Sequence, residues 1–274
     1  MINYQELLNS PIFPSQIVIL IQKAAHHRLP VLIQGEQGTR KEWVAKTIHH
    51  IGDWKYYHFY KIDCKMITEG EFSTQLSLIF KEISYGAMPA TLYLREVGYL
   101  GYANQLKLLE LLEDELFQNG TEKKVIKNIR FISSSSEDLK NKVSQGNFSE
   151  DLYYRLNSLS IYLPTLRERS NEISKITQYI LSEQSKKAKI KKVGFSDNVL
   201  RLFQNYWWPG NLRELEQVIV RSALFSESER IVEKDILSVT GNDSFISFLK
   251  KVEQRPSSYK KSVFSGEQQS HSLS

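Results

Sequence analysis

VLIQGEQGTRKEWVA, residues 31–45, is the stretch whose reading decides the fold. Val31, Leu32 and Ile33 predict the end of a buried strand, and Gly35 and Gly38 predict a turn. Lys41 opens a helix whose apolar positions Val44, Ala45, Ile48 and Ile51 recur at helical spacing. Strand, glycine-containing turn, lysine and helix, in that order, are the layout of a phosphate-binding P-loop. In such a loop backbone N–H groups and a helix N-terminus surround the phosphates, and the lysine reaches the outer ones. The spacing from Gly35 to Lys41 fits. Arg40 stands where the pattern asks for glycine, and Glu42 stands where it asks for a serine or threonine to hold magnesium.

The 274 residues suffice for a large domain with a smaller companion, and 41% hydrophobic content supplies a core. A net charge of +5 permits contact with nucleic acid or an acidic partner without arguing for either. The one cysteine, Cys64, excludes an internal disulfide framework and suits a reducing cytoplasm. Met1–Asn9 carries no basic signal-peptide region, and no apolar run approaches membrane-spanning length, so a cytoplasmic protein without a membrane partner is expected. Neither His26–His27 nor His49–His50 can share a metal, because neighbours on a helix point about 100° apart. Both pairs are read as solvated helix ends, and no metal ligands are assigned.

Before the P-loop, residues 1–29 predict a helical entry, with Ser15 as N-cap. After it, strands are expected at His58–Asp63, Thr91–Gly98, Asn128–Ser133 and Leu159–Leu163, and helices within 65–91 and at Ala103–Phe117 and Ser149–Asn157. This alternation predicts an α/β fold, a mainly parallel sheet with helices on both faces. From Ser170 the strand signal vanishes, and helices are expected at Glu172–Ser185, Asp197–Tyr206, Asn211–Phe225 and Glu233–Val239. Ser196 is placed to cap the second of these, and Pro209–Gly210 separates it from the third. The expected domains are an α/β core at 1–168, a small all-helical domain at 169–245, and a polar, disordered tail at 246–274.

Five stretches in order resemble one family, the AAA+ ATPase domain of bacterial enhancer-binding proteins that activate sigma-54 RNA polymerase. GEQGTRKEWVAKTIH at 35–49 is similar to its Walker A segment, and FYKIDC at 59–64 to a strand that ends Asn-Cys in the family. TLYLREVGYL at 91–100 sits at the Walker B strand, and FSEDLYYRLNSLSIYLPTLRERSNEI at 148–173 resembles the arginine-finger segment. WPGNLRELEQVI at 208–219 is similar to the sensor II motif. The resemblance covers roughly residues 5–240 and implies an AAA+ P-loop sheet with a helical lid. It implies ATP or ADP as ligand, held by Gly35, Glu36, Gln37, Gly38, Thr39, Arg40, Lys41, Glu42 and Arg213, with Glu96 and Arg155 in catalytic positions.

The departures from the family pattern concern one activity. Arg40 brings a Cβ, and a side chain that would crowd the phosphates, to a glycine position; a left-handed backbone there would cost about 1–2 kcal/mol. Walker B should end Asp-Glu, and here reads Arg95–Glu96. A guanidinium that cannot lose its charge repels a divalent cation by about 4 kcal/mol per unit pair roughly 4 Å apart at an effective dielectric near 20. Sensor I reads Ser135–Ser136 in place of Thr-Asn, and one of two finger arginines reads Ser149. The GAFTGA loop that engages sigma-54 is missing from the 27 residues at 65–91.

These features predict a degenerate sigma-54-activator-like module, a regulatory or scaffolding pseudo-ATPase in which magnesium has no usual seat. It would act by contact with a protein partner, a second copy or an intact AAA+ homologue, and not with sigma-54 or DNA. The alternatives are a nucleotide switch without turnover, in which Arg40 and Arg95 replace magnesium, and a slow ATPase that activates transcription. For single residues the alternatives are structural. Lys41 is either a phosphate ligand or a solvent-facing helix start, and Glu96 is either a site residue or a partner of Arg95 or Arg40. Arg155 and Arg213 either touch nucleotide or pin helices. Trp207 and Trp208 are expected to pack the lid against the larger domain.

Overall fold

The computed structural model describes residues 3–86, 88–113, 128–188, 194–239, 245 and 247. The chain divides into two compact units, residues 1–163 and 164–274. The first contains helices α1 (Tyr4–Leu8), α2 (Ser15–Ala25), α3 (Lys41–Ile51), α4 (Glu69–Gly86), α5 (Tyr102–Glu113), α6 (Leu139–Ser144) and α7 (Glu150–Leu156). Its strands are β1 (Val31–Gln34), β2 (His58–Asp63), β3 (Ala90–Arg95), β4 (Ile129–Ser135) and β5 (Leu159–Tyr162). They form one sheet in the order β2-β3-β4-β1-β5, parallel throughout. Residues 65–68 and the single long α4 fill most of the segment between β2 and β3 in which GAFTGA is missing.

Side-chain alternation along the strands sorts the two faces. Leu32, Ile62, Leu92, Leu94, Ile129 and Phe131 join one core with Phe72 and Leu76 of α4, Leu108 of α5 and Leu152 of α7. The intervening residues Thr91, Tyr93 and Arg130 are buried on the other face, where α3 packs on β1, β3 and β4. Strand β4 is buried along its whole length despite three serines. Each serine hydroxyl has a partner: Ser133 on the Val31 carbonyl, Ser134 on the Tyr93 hydroxyl, Ser135 on the Glu137 carbonyl.

Several expectations change. Pro14, not Ser15, is the N-cap of α2, and Ser15 is its first residue. The helix expected to reach Phe117 is seen to Glu113, and residues 114–117 lie outside the described residues, as do 251–274 of the expected tail. His49 is not a solvated helix end: its side chain is buried, Nδ1 lies 2.8 Å from the Thr91 hydroxyl, and the ring meets Phe59 edge-on. Nearby, fully buried Arg130 donates to the carbonyls of Ala24 and Ala25 at the end of α2, where a cation complements the helix dipole. Burial pushes His49 down to about 4, with the charges of His50 and Arg130 adding to the effect.

The second unit comprises a 3-10 segment at Arg167–Glu172 and helices α8 (Ile173–Ala188), α9 (Asp197–Asn205), α10 (Asn211–Phe225) and α11 (Glu233–Val239). A two-residue parallel ladder, β6 (Gly194–Phe195) on β7 (Arg230–Ile231), adds to this helical unit. Ser196 caps α9, its hydroxyl accepting from the Val199 N–H. The two tryptophans do not share a role. Trp208 is fully buried in the core of its own unit, its indole donating to the Phe203 carbonyl at 2.6 Å and its ring against Phe203, Tyr206 and Phe245. Trp207 is 66% exposed, with Arg167 stacked over its ring.

His49 makes stability depend on pH. Between its ordinary value of 6.5 and about 4 the unfolded chain takes up a proton that the folded chain refuses. Stability therefore falls as pH drops through that window. Urea midpoints measured across it are expected to show a shallower acid decline in His49→Gln than in the parent, and equal slopes would refute this origin.

Candidate functional site

The carboxyl ends of β1, β3 and β4 meet where the strand order reverses, the place where open α/β sheets receive ligands. The loop Gly35–Arg40 leaves β1 there. Gly35 has φ +150°, and a Cβ on it would lie 2.8 Å from the Leu163 carbonyl oxygen, so this turn requires glycine. The Thr39 hydroxyl closes the loop by donating to the Glu36 carbonyl at 2.8 Å. Arg40 has φ 69° and ψ 36°, the left-handed conformation at a glycine position that the sequence raised. Its guanidinium sits 4.4 Å from the ring centre of Trp43, which holds the charged end against the first turn of α3.

Lys41 is not a solvent-facing helix start. It is 7% exposed, and its ammonium donates to the Gly35 carbonyl at 2.7 Å and the Glu36 carbonyl at 3.1 Å. The Glu96 carboxylate lies 3.3 Å away. Burial lowers the lysine below its ordinary range, and the charge of Glu96 opposes that shift. Glu96 is thus in direct contact with Lys41, and its charge also acts on Arg95. Its second oxygen accepts from both the backbone N–H and the hydroxyl of Ser136, each at 2.7 Å. Glu96 also has a left-handed backbone, φ 57°. Such conformations cost energy and gather at functional sites.

Arg95 is paired with Asp63, its Nη1 on the carboxylate. The register explains the pair, since the two are neighbouring positions on β2 and β3 and share a face. Glu42 accepts from Lys46 at 2.9 Å and Lys61 at 2.7 Å, which hold it below the usual carboxylate range against the opposing effect of burial. Both strand-end carboxylates, Asp63 and Glu96, are therefore engaged by cations. A guanidinium, moreover, stands where the Walker B pattern has a metal-orienting acid. This donor set does not fit a magnesium ion, which requires oxygen ligands in near-octahedral array.

Ser149 and Arg155 lie at the two ends of α7, and Arg213 lies near the start of α10. Ser149 is the N-cap of α7, accepting from the Leu152 N–H. Arg155, in the last turn of α7, is half-exposed and 3.9 Å from Glu113, a pair of little energetic weight. Arg213 belongs to the other unit, exposed in the first turn of α10, where the helix dipole disfavours a cation. The buried Glu214 beside it accepts from the Gly210 N–H at 2.7 Å and the Tyr206 hydroxyl at 3.0 Å. Asp63 was not singled out from the sequence. Its signal was there: it replaces the family's asparagine at the end of the strand before Arg95.

The profile of the sigma-54 interaction domain matches residues 13–162, and that of an AAA+ ATPase lid domain matches residues 167–244. The chain is 33% identical over 236 residues to the Nif-specific regulatory protein of Azotobacter vinelandii, which covers 82% of this chain and 45% of that protein. It is 32% identical over 232 residues to the Sigma54-dependent transcriptional regulator SfnR of Pseudomonas fluorescens, covering 80% of this chain and 63% of that one. The chain thus spans less than half the length of the Nif-specific relative. Among solved structures, NtrX from Brucella abortus in complex with ATP superposes with a TM-score of 0.68 at 22% identity, over 92% of this chain and 59% of that one.

Arg40 offers a test of the loop's strain. Its left-handed backbone costs about 1–2 kcal/mol, stacking on Trp43 returns about 0.5–1, and glycine would add about 0.4–1 of freedom to the unfolded chain. These nearly cancel, so backbone and stacking alone would place Arg40→Gly within about 1 kcal/mol of the parent in urea. A larger loss would measure what the side chain's other contacts add to this stacking.

Proposed function

The chain belongs to the sigma-54 interaction domain family of AAA+ ATPases, and from that premise we propose a transcription-regulating module in the cytoplasm that has given up magnesium-dependent ATP hydrolysis and acts through protein contact. One observation carries the reading: a guanidinium, paired with Asp63, stands at the Walker B acid position. A divalent cation placed there would meet repulsion on the order of 4 kcal/mol per unit pair, where the usual pattern supplies attraction of that size. Glu96, the residue that would polarise water, has one oxygen on Lys41 and the other on Ser136. The partner is a second copy of the chain or an intact AAA+ homologue, whose trans-acting sites it would interrupt.

A second reading is a nucleotide switch without turnover. It is favoured by the intact turn at Gly35, by buried Lys41 and by exposed Arg213. NtrX from Brucella abortus has been crystallised with ATP and with ADP. In this chain Lys41 would exchange Glu96 and the loop carbonyls for phosphate oxygens.

Phosphate release by the purified chain is expected to stay at the no-enzyme background with ATP and magnesium. Steady hydrolysis that Glu96→Gln abolishes would overturn the non-catalytic reading. A pull-down from the native cells is expected to recover an AAA+ protein; recovery of sigma-54 alone would replace that partner with the polymerase subunit.

A further inference from the structure

We propose that Arg95 is a resident cation of the phosphate site, so that the cleft takes a nucleoside di- or triphosphate as the metal-free anion. The proposal rests on the nucleotide-binding reading above and names the ionic form of the ligand. Placement comes first. Alternation along β3 turns Leu92 and Leu94 into the core beneath α4 and α5, and leaves Tyr93 and Arg95 on the face covered by α3. On that same face Lys61 of β2 reaches Glu42 of α3 at 2.7 Å. Arg95 therefore ends β3 on the side of the P-loop helix, and the residue after it, Glu96, lies 3.3 Å from the Lys41 ammonium.

The second observation is how Arg95 is held. Asp63 takes Nη1, and the side chain is 36% exposed, so the five-donor fork has donors beyond those in this ion pair. Such a fork matches phosphate oxygens two at a time. Exchanging a carboxylate for a guanidinium raises the local charge by two units, the charge of one magnesium ion. Asp63, in place of the family's asparagine, takes one unit back and fixes the guanidinium in position. Without Asp63 the guanidinium would have no carboxylate on the neighbouring strand; the register partner supplies one.

The test is a titration of the full chain with mant-ADP, in EDTA and in excess magnesium. The parent is expected to bind more tightly in EDTA. Arg95→Ala is expected to weaken binding in EDTA by about tenfold, the effect of one charge-assisted hydrogen bond, and to narrow or reverse the preference for EDTA over magnesium, because the charge that repels the metal is gone. Asp63→Asn frees the guanidinium and is expected to tighten binding in EDTA, a gain that a merely structural ion pair would not produce. It also keeps the test open should Arg95→Ala fail to fold in a circular-dichroism melt. Binding that strengthens with magnesium and ignores both substitutions would overturn the resident cation while leaving the nucleotide reading standing. Absence of binding in either condition would remove both.

Discussion

The ammonium of Lys41 ties the P-loop to the sheet. It draws the Gly35 and Glu36 carbonyls together and lies against Glu96, whose other oxygen reaches Ser136 just beyond β4. The carboxyl ends of β1, β3 and β4 are thereby linked through one buried cation and one buried carboxylate. An ammonium in such surroundings is tolerated only with partners of this kind, because an unpaired buried charge costs several kcal/mol, about 3–5 when one partner of a pair is lost. Arg40, the residue before the lysine, and Glu96 itself both have left-handed backbones.

Around that pair the polar residues form a coherent set. Asp63 answers Arg95 across the register of β2 and β3, Lys61 and Lys46 answer Glu42, and Ser136 answers Glu96. The departures from the family pattern have partners in space, and the site that results has more positive charge and fewer free carboxylate oxygens than a magnesium site needs. This is a different electrostatic arrangement on a retained frame.

The lid unit shows the same economy in its turn. Left-handed Trp208 and Asn211 bracket Pro209–Gly210. The Trp208 ring fills the core, and the Asn211 side chain accepts from the Leu166 N–H at 2.8 Å. Glu214 is buried on the Gly210 N–H and the Tyr206 hydroxyl, while Arg213, one residue earlier, faces solvent. The turn thus anchors α10 by its buried residues and leaves one cation of its first turn outward.

By itself the sequence determined the architecture: alternating strands and helices, the P-loop after β1, a helical second unit and the Ser196 cap. These follow from local periodicity and from turn and capping chemistry, which act over a few neighbouring residues. The charge reversal at Arg95 was equally legible. Which groups meet was decided by the tertiary structure. Asp63 joins Arg95 through register, Glu96 meets Lys41, His49 is buried against Thr91, and Trp207 and Trp208 take opposite environments. Each of these depends on the packing of segments far apart in the chain, or on the precise angle of a turn. Hydrophobic period does not carry either. Long-range electrostatic partners exist only once the sheet has set its register.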